Sequence, residues 1–193
     1  GPAAGVGADP LTRRPLTDRT AASDIATGAR FHERTTIGVR GSRHDGGSCM
    51  NVQSIIGTKG TDVATIEQVA TLADAIARLR EKGIGALVVS GDGRAIEGIV
   101  SERDIVRAAA SAGASSFGAT VGSVMSTDVI TCALGDGVDR LMSLMTERRI
   151  RHLPVVDDRG HLAGIVSIGD VVKARLTELE QENQALSQYI SGH

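Results

Sequence analysis

The stretch GIVSERDIV, Gly98 to Val106, runs an apolar strand directly into a helix start that carries Ser101 and, three residues on, Asp104. A near copy, GIVSIGDVV, runs from Gly164 to Val172 and places Ser167 and Asp170 at the same positions. The offset of 66 residues holds well outside the two copies. Asp62-Val63-Ala64-Thr65 answers Asp128-Val129-Ile130-Thr131, and Leu87 and Val89 answer Leu153 and Val155. An ungapped register across a whole unit is an internal duplication. Two copies are too few for a solenoid and suit a closed pair.

Each unit has the same grammar. A short strand (Val63 to Ile66; Val129 to Cys132) leads to an amphipathic helix, with Leu72, Ala75, Ile76 and Leu79 at helical spacing in the first unit. Val138, Leu141, Met142 and Met145 take those places in the second, the methionines as core filling. Two strands follow, ALVVS and IEGIV around Gly91-Asp92-Gly93-Arg94, then LPVVD and LAGIV around Asp158-Arg159-Gly160. The second strand of each pair runs into the Ser-x-x-Asp helix. The order is β-α-β-β-α, twice, an α/β (α+β) chain. Units this small leave a sheet face uncovered, so the pattern predicts that they pair around a shared core.

Composition narrows the function. The chain has 193 residues, 41% hydrophobic and 23% charged, with a net charge of −2. No run approaches the roughly 18 apolar residues that span a bilayer. The charge and the shortage of aromatics (Phe31, Phe117 and Tyr189) disfavour nucleic acid as a partner. Cys49 and Cys132 have no metal or redox spacing, and Cys132 reads as a small core residue. No cluster has metal-ligand spacing and no nucleophile has a recognisable base, so no residue is a candidate for catalysis. Residues 1–49 are rich in Arg, Gly, Ser and Thr without apolar periodicity and read as disordered or vector-derived. Gly1-Pro2 has the form of a tag-cleavage scar and Met50 that of a natural start. A trimmed organelle-targeting segment is the weaker alternative to a cytoplasmic protein.

Ser-x-x-Asp at a strand-to-helix junction has a plain reading and a functional one. As a capping box it closes the helix start, although Asp is shorter than the usual Glu or Gln and is expected to fit less well. As a site, the helix N-terminus offers N–H groups to a phosphate and the Ser hydroxyl adds a donor. The carboxylate one turn on accepts from two neighbouring hydroxyls, as on a ribose. The residues alone yield "ribose plus phosphate".

The motifs DVATI, GIGALVV and GIVSERDIV, with their counterparts DVITC, RIRHLPVV and GIVSIGDVV, resemble a tandem pair of cystathionine-β-synthase-type (CBS) domains of the stand-alone kind. The resemblance covers Met50 to about Ile190. It implies two repeats, residues 50–122 and 123–175, packed pseudo-symmetrically into one module, with residues 176–193 as a C-terminal helix extension. It also implies adenine-nucleotide binding, homodimers that can stack further, and regulation of an unidentified protein target without catalysis. AMP, ADP or ATP is the implied ligand, with no covalent cofactor; NAD(H) and S-adenosylmethionine are the runners-up. By position, Ser101 and Ser167 would meet phosphate or ribose, Asp104 and Asp170 the ribose hydroxyls, and Thr65 and Thr131 would line the base.

The two clefts are expected to be unequal. Arg103 precedes Asp104 where Gly169 precedes Asp170, and Arg151 and His152 stand where the first repeat has Gly85 and Ala86. In the family's cross-repeat assembly Asp104 shares its cleft with Arg151, His152 and Pro154, whereas Asp170 faces only Gly85 and Ala86. That asymmetry predicts one strong nucleotide site per chain. Against it stand plainer readings: Arg103 as a solvated first-turn charge, Arg148, Arg149 and Arg151 as a surface cluster, His152 as packing, and Thr65 and Thr131 as β-formers. Pro154 within a strand predicts an edge or irregular position.

The last helix is expected to continue through KARLTELEQENQALSQYI. Val172, Leu176, Leu179, Asn183, Leu186 and Ile190 alternate at spacings of four and three, a heptad seam in which a lone Asn specifies a two-stranded pairing. The stripe either pairs with its copy or packs back on its own dimer. A structural dimerisation scaffold with vestigial clefts is the alternative to a nucleotide sensor, and a small nucleotide hydrolase is the third reading.

Overall fold

The computed structural model describes residues 50–191; the reading of residues 1–49 lies outside them. A leader helix α1 (Val52–Lys59) precedes β1 (Thr65–Ile66), α2 (Leu72–Lys82), β2 (Ala86–Val89), β3 (Gly98–Ser101) and α3 (Glu102–Ala112). Two 3₁₀ turns, Gly113–Gly118 and Val121–Ser123, lead to β4 (Cys132–Ala133), α4 (Val138–Arg148), β5 (His152–Val156), β6 (Leu162–Ser167) and α5 (Ile168–Ser191). The β-α-β-β-α order is present twice. Among the described residues no helix is long and apolar enough to cross a membrane.

Each repeat builds a three-stranded sheet with its second strand in the middle, β1-β2-β3 and β4-β5-β6. The first pair in each is parallel and the second antiparallel. The expected single shared core is instead two clusters. Leu72, Ala75, Leu79, Leu87, Val89 and Val100 anchor one; Val138, Leu141, Met145, Leu153, Val155 and Val166 anchor the other, which also holds Cys132. Burial pushes the Cys132 thiol up to about 12, as befits a core residue.

The repeats interlock through their leaders. Although α1 precedes the first repeat, Val52, Ile55 and Ile56 belong to the second cluster, and Val52 and Gln53 donate backbone N–H bonds to the carbonyls of Asp136 and Leu134. Reciprocally, Val121 belongs to the first cluster, and Ser126 exchanges backbone bonds with Ile99 at 2.9 and 3.0 Å. Both approaches are too close for a side chain on the opposing strand. A Cβ on Gly98 would lie 2.6 Å from the Met125 sulfur, and one on Gly164 2.7 Å from Ile56 Cδ1. The glycines that flank both motifs are therefore the footprints of the crossing leaders.

Pro154 lies on the central strand β5, not at an edge. Its first-repeat counterpart Val88 donates to the Ala64 carbonyl and pairs with Thr65. Proline has no such donor, and the Thr131–Pro154 pairing is missing: β4 begins one residue later, at Cys132 opposite Val155. The expected strands Val63 to Ile66 and Val129 to Cys132 are both shorter, at Thr65–Ile66 and Cys132–Ala133, and the proline accounts for the one-residue later start of the second.

Candidate functional site

Among the described residues, three helix starts use an Asp-closed box: Thr71 with Asp74, Ser101 with Asp104, and Ser167 with Asp170. The expectation that Asp fits such a box poorly is therefore overturned. Asp104 Oδ2 accepts from Ser101 N at 2.9 Å and from Ser101 Oγ at 2.6 Å. Asp170 Oδ2 accepts from Ser167 N at 2.8 Å and Oγ at 2.7 Å, and Asp170 N donates back to Ser167 Oγ at 3.2 Å. The first helical N–H groups are also taken, Glu102 N by the Gly85 carbonyl and Ile168 N by that of Arg151. Each motif thus keeps one carboxylate oxygen outside the box, and the helix ends hold fewer open donors than the sequence suggests.

The first cleft, about 450 Å³, joins the two repeats. From the first repeat come Ser101, Arg103, Asp104 and Arg107; from the second come Arg148, Arg149, Arg151 and His152. Five arginines around one hollow make it strongly cationic against the carboxylates of Glu102 and Asp104. Arg103 reaches across to donate to the Arg149 carbonyl at 3.2 Å. Arg149 itself has φ 54°, in the left-handed region, at the place where the first repeat has Gly83 with φ 62°. A non-glycine residue pays a steric penalty there, and this one faces the cleft.

The second cleft, about 460 Å³, is lined by Ser167 and Ile165 of the second repeat and by Gly85 and Ala86 of the first, with Lys59, Asp62 and Lys82. The expectation that Asp170 would face only Gly85 and Ala86 is corrected here. The crossing of α1 brings Lys59 to Asp170 Oδ2 at 2.7 Å and to the Ile165 carbonyl at 3.1 Å. Burial pushes the Asp170 carboxyl up, but the hydrogen bonds from Lys59 and Ser167 outweigh it and hold the group below its ordinary range.

His152 lines both clefts. Its imidazole lies against Gly85, where a Cβ would come within 3.3 Å of Cε1. Burial, then the nearby Lys59 charge, lowers its pKa against the opposing pull of Glu102 and Asp170, so the ring is neutral at pH 7.

Of the candidate residues, the structure brings Ser101, Arg103, Asp104, Arg151 and His152 to the first cleft and Ser167 to the second, with Asp170 bonded to the second cleft's Lys59. Thr65, Thr131 and Pro154 line neither. The Thr65 carbonyl accepts from Arg78, Thr131 precedes β4, and the Pro154 carbonyl takes the Cys132 thiol at 3.8 Å. Arg107 and Lys59 went unforeseen. Arg107 lies one turn beyond Asp104, a spacing open to inspection, whereas nothing local to Lys59 tells which repeat its helix covers. Arg148, Arg149 and Arg151 are a cluster, and it forms a wall of the first cleft.

Two pseudo-equivalent α/β units with a polar cleft on each side of their junction define a paired-repeat binding module. The family model described as "CBS domain" matches residues 56–111 and 121–177, and the chain belongs to that family as a tandem pair. It is 43% identical over 126 residues to the mitochondrial CBS domain-containing protein CBSX3 of Arabidopsis thaliana, a match spanning 63% of this chain and 61% of that protein. The chain thus covers less than two thirds of that relative's length. Among solved structures, the CBS-domain containing protein ATU1752 from Agrobacterium tumefaciens is 42% identical, with a TM-score of 0.63 over 65% of this chain and 99% of that one. The CBS domain protein PAE2072 from Pyrobaculum aerophilum, complexed with AMP, is 26% identical, with a TM-score of 0.56 over 63% of this chain and 89% of that one.

Proposed function

We propose that the chain is a regulatory, non-catalytic sensor of adenine nucleotides, AMP, ADP or ATP, whose first cleft is the principal site. The observation that carries this is the convergence of Ser101 and Asp104 from one repeat with Arg149, Arg151 and His152 from the other around one hollow. Its volume falls within the ~300–1,000 Å³ of small-molecule sites. The free Asp104 oxygen suits a ribose hydroxyl and the arginines suit phosphate. The AMP complex of the 26%-identical structure supports an adenylate, and the 25%-identical CBS domain pair of protein MJ0100, in complex with 5′-methylthioadenosine and S-adenosyl-L-methionine, supports the adenosine that both ligands share. A nucleotide that touches both repeats favours one arrangement of them, and an unidentified protein partner reads the difference.

A homodimer is part of the same reading. The seam of α5 is open in the single chain, with Leu176 56%, Leu186 63% and Ile190 76% exposed, while the opposite face buries Val171, Ala174 and Glu178. A second copy of α5 would cover it.

Thermal melting with AMP, ADP, ATP, NAD and S-adenosylmethionine tests the assignment. Nucleotide at a hundredfold excess over its dissociation constant adds about 2.7 kcal/mol, or about 5–10 °C for a chain of this size. No shift with any of the five points to the dimerisation scaffold. Product formed on long incubation with ATP counts against a non-catalytic role.

A further inference from the structure

Lys59 ends the leader helix of the first repeat, yet its ammonium lies in the second repeat's cleft. It donates to Asp170 Oδ2 at 2.7 Å and to the Ile165 carbonyl at 3.1 Å. Oδ2 is the oxygen that also closes the helix box, so the ammonium weakens the carboxylate as an acceptor through its charge and directly occupies the strand carbonyl that this cleft would offer a nucleoside. At the equivalent position ahead of the second repeat stands Met125, whose thioether packs against Gly98 and brings no charge to Asp104. Asp104 has its own-helix neighbour Arg107, at 3.9 Å. The two clefts have nearly equal volumes. What separates them is that Lys59 hydrogen-bonds Asp170 and a strand carbonyl together, whereas the cation nearest Asp104 stands off at 3.9 Å.

We propose that Lys59 is a built-in competitor for the second cleft: while it holds Asp170 and the Ile165 carbonyl, adenine nucleotide is confined to the first cleft, and filling the second requires Lys59 to withdraw. The inference rests on the nucleotide reading above and concerns which cleft is used. It adds to the asymmetry in basic residues read from the sequence, since the arginines gather in the first cleft alone. The second cleft has cations of its own, Lys59 and Lys82, but one of them is turned inward on the group a ligand needs. A partly exposed ammonium–carboxylate pair is worth up to about fivefold in an equilibrium constant, so its removal has a measurable effect. Lys59 is a positioning residue here, since it acts on the ligand through Asp170.

Calorimetric titration with AMP tests this. Asp104→Ala silences the first cleft, and Lys59→Met is then added to install the residue found at the equivalent place. The double variant is expected to bind AMP up to about fivefold more tightly than Asp104→Ala alone, with the gain abolished by Asp170→Ala. In the wild-type background Lys59→Met is expected to raise the stoichiometry from one site per chain toward two. Lys59→Gln, which keeps a polar tip, gives the same direction, and melting curves confirm that each variant is folded. Wild-type protein that binds AMP while both Lys59 variants bind it unchanged or more weakly overturns the competitor and leaves the first-cleft reading standing. Absence of binding by wild type and variants alike overturns both.

Discussion

Replacing Asp104 by glutamate separates the two tasks that one carboxylate performs. Oδ2 closes the start of α3 by accepting from the Ser101 N–H and hydroxyl. Oδ1 lies outside that box, in the cleft, with Arg107 Nη1 at 3.9 Å. Glutamate is the usual partner of serine in such a box, so Asp104→Glu keeps the helix start closed, and stability should stay within about 0.5 kcal/mol of wild type. The extra methylene moves the carboxylate by about 1.5 Å, away from where it meets a ribose hydroxyl. One charge-assisted hydrogen bond is then lost, about 1.5–3 kcal/mol, or about 10- to 150-fold in the AMP dissociation constant. Asp104→Ala removes both roles: it loses the same affinity and also about 1 kcal/mol of stability, a fall of about 2–4 °C in melting temperature. Calorimetry with AMP and urea unfolding on the three proteins read the two effects apart. Asp104→Glu that binds AMP within twofold of wild type, with stability intact, would show that the carboxylate serves the helix alone.

Four further perturbations probe the same framework. Gly98→Ala meets the Met125 sulfur and the Ser126 carbonyl, a backbone atom at 3.0 Å, whereas Gly164→Ala meets the tip of Ile56; unfolding free energies from urea titration should fall by about 2–3 and about 1 kcal/mol respectively, and the reverse order contradicts the crossing leaders. Arg149→Gly relieves a left-handed φ of 54° and should stabilise by up to about 1 kcal/mol while weakening AMP binding severalfold; unchanged affinity removes Arg149 from the cleft's function. The His152 pKa is lowered by burial first and the Lys59 charge second, so its stabilising contribution is complete above its unfolded value of 6.5 and is lost as pH falls through the folded one. His152→Gln should flatten the fall in melting temperature below pH 6.5, and an unaltered profile would assign that fall to other groups. Asn183→Leu in the α5 seam should stabilise the dimer or blur its order in ultracentrifugation, and no change in either counts against a paired seam.

Much of the architecture is written locally. Strand alternation, the glycine-bearing turns and the helical spacing of Leu72 to Leu79 are properties of short windows, and the 66-residue offset multiplies each of them by two. The packing of the leaders is not local. Val52, Ile55 and Ile56 announce an apolar helix face, but no property of those residues says which core receives it; that is decided by the room left beside Gly164. Pro154 is a similar case, because a proline's tolerance depends on which way its missing N–H would point, and here it points at the first residues of a strand that simply begins later. The first cleft was legible because its cations flank its motifs in sequence or across the repeat offset. The second was misjudged because its decisive cation arrives on an element belonging, in chain order, to the other repeat.

That crossing also gives the second cleft a route to the rest of the molecule. α1 is tied to α5 at both of its ends: the Met50 N–H donates to Glu178 Oε1 at 3.1 Å, and Lys59 holds Asp170 in the first turn of α5. Glu178 is 5% exposed and is also bonded to Arg175 at 2.7 Å, so the first tie ends on a buried carboxylate with a second partner. Lys59 and Asp170 are partly open to water, so theirs is the tie that can exchange. A ligand that takes Asp170 would loosen one tie at the C-terminal end of α1, where Lys59 also holds the Ile165 carbonyl, while the start of the helix stays tied at Met50. Ile56, which packs against Gly164 of β6, would move with the loosened end, and β6 leads without a break into the helix that carries the exposed seam. If α5 pairs with its copy as proposed, one short chain of contacts joins the second cleft to that pairing, and reciprocity then requires that a partner steadying the seam alter the affinity of that cleft.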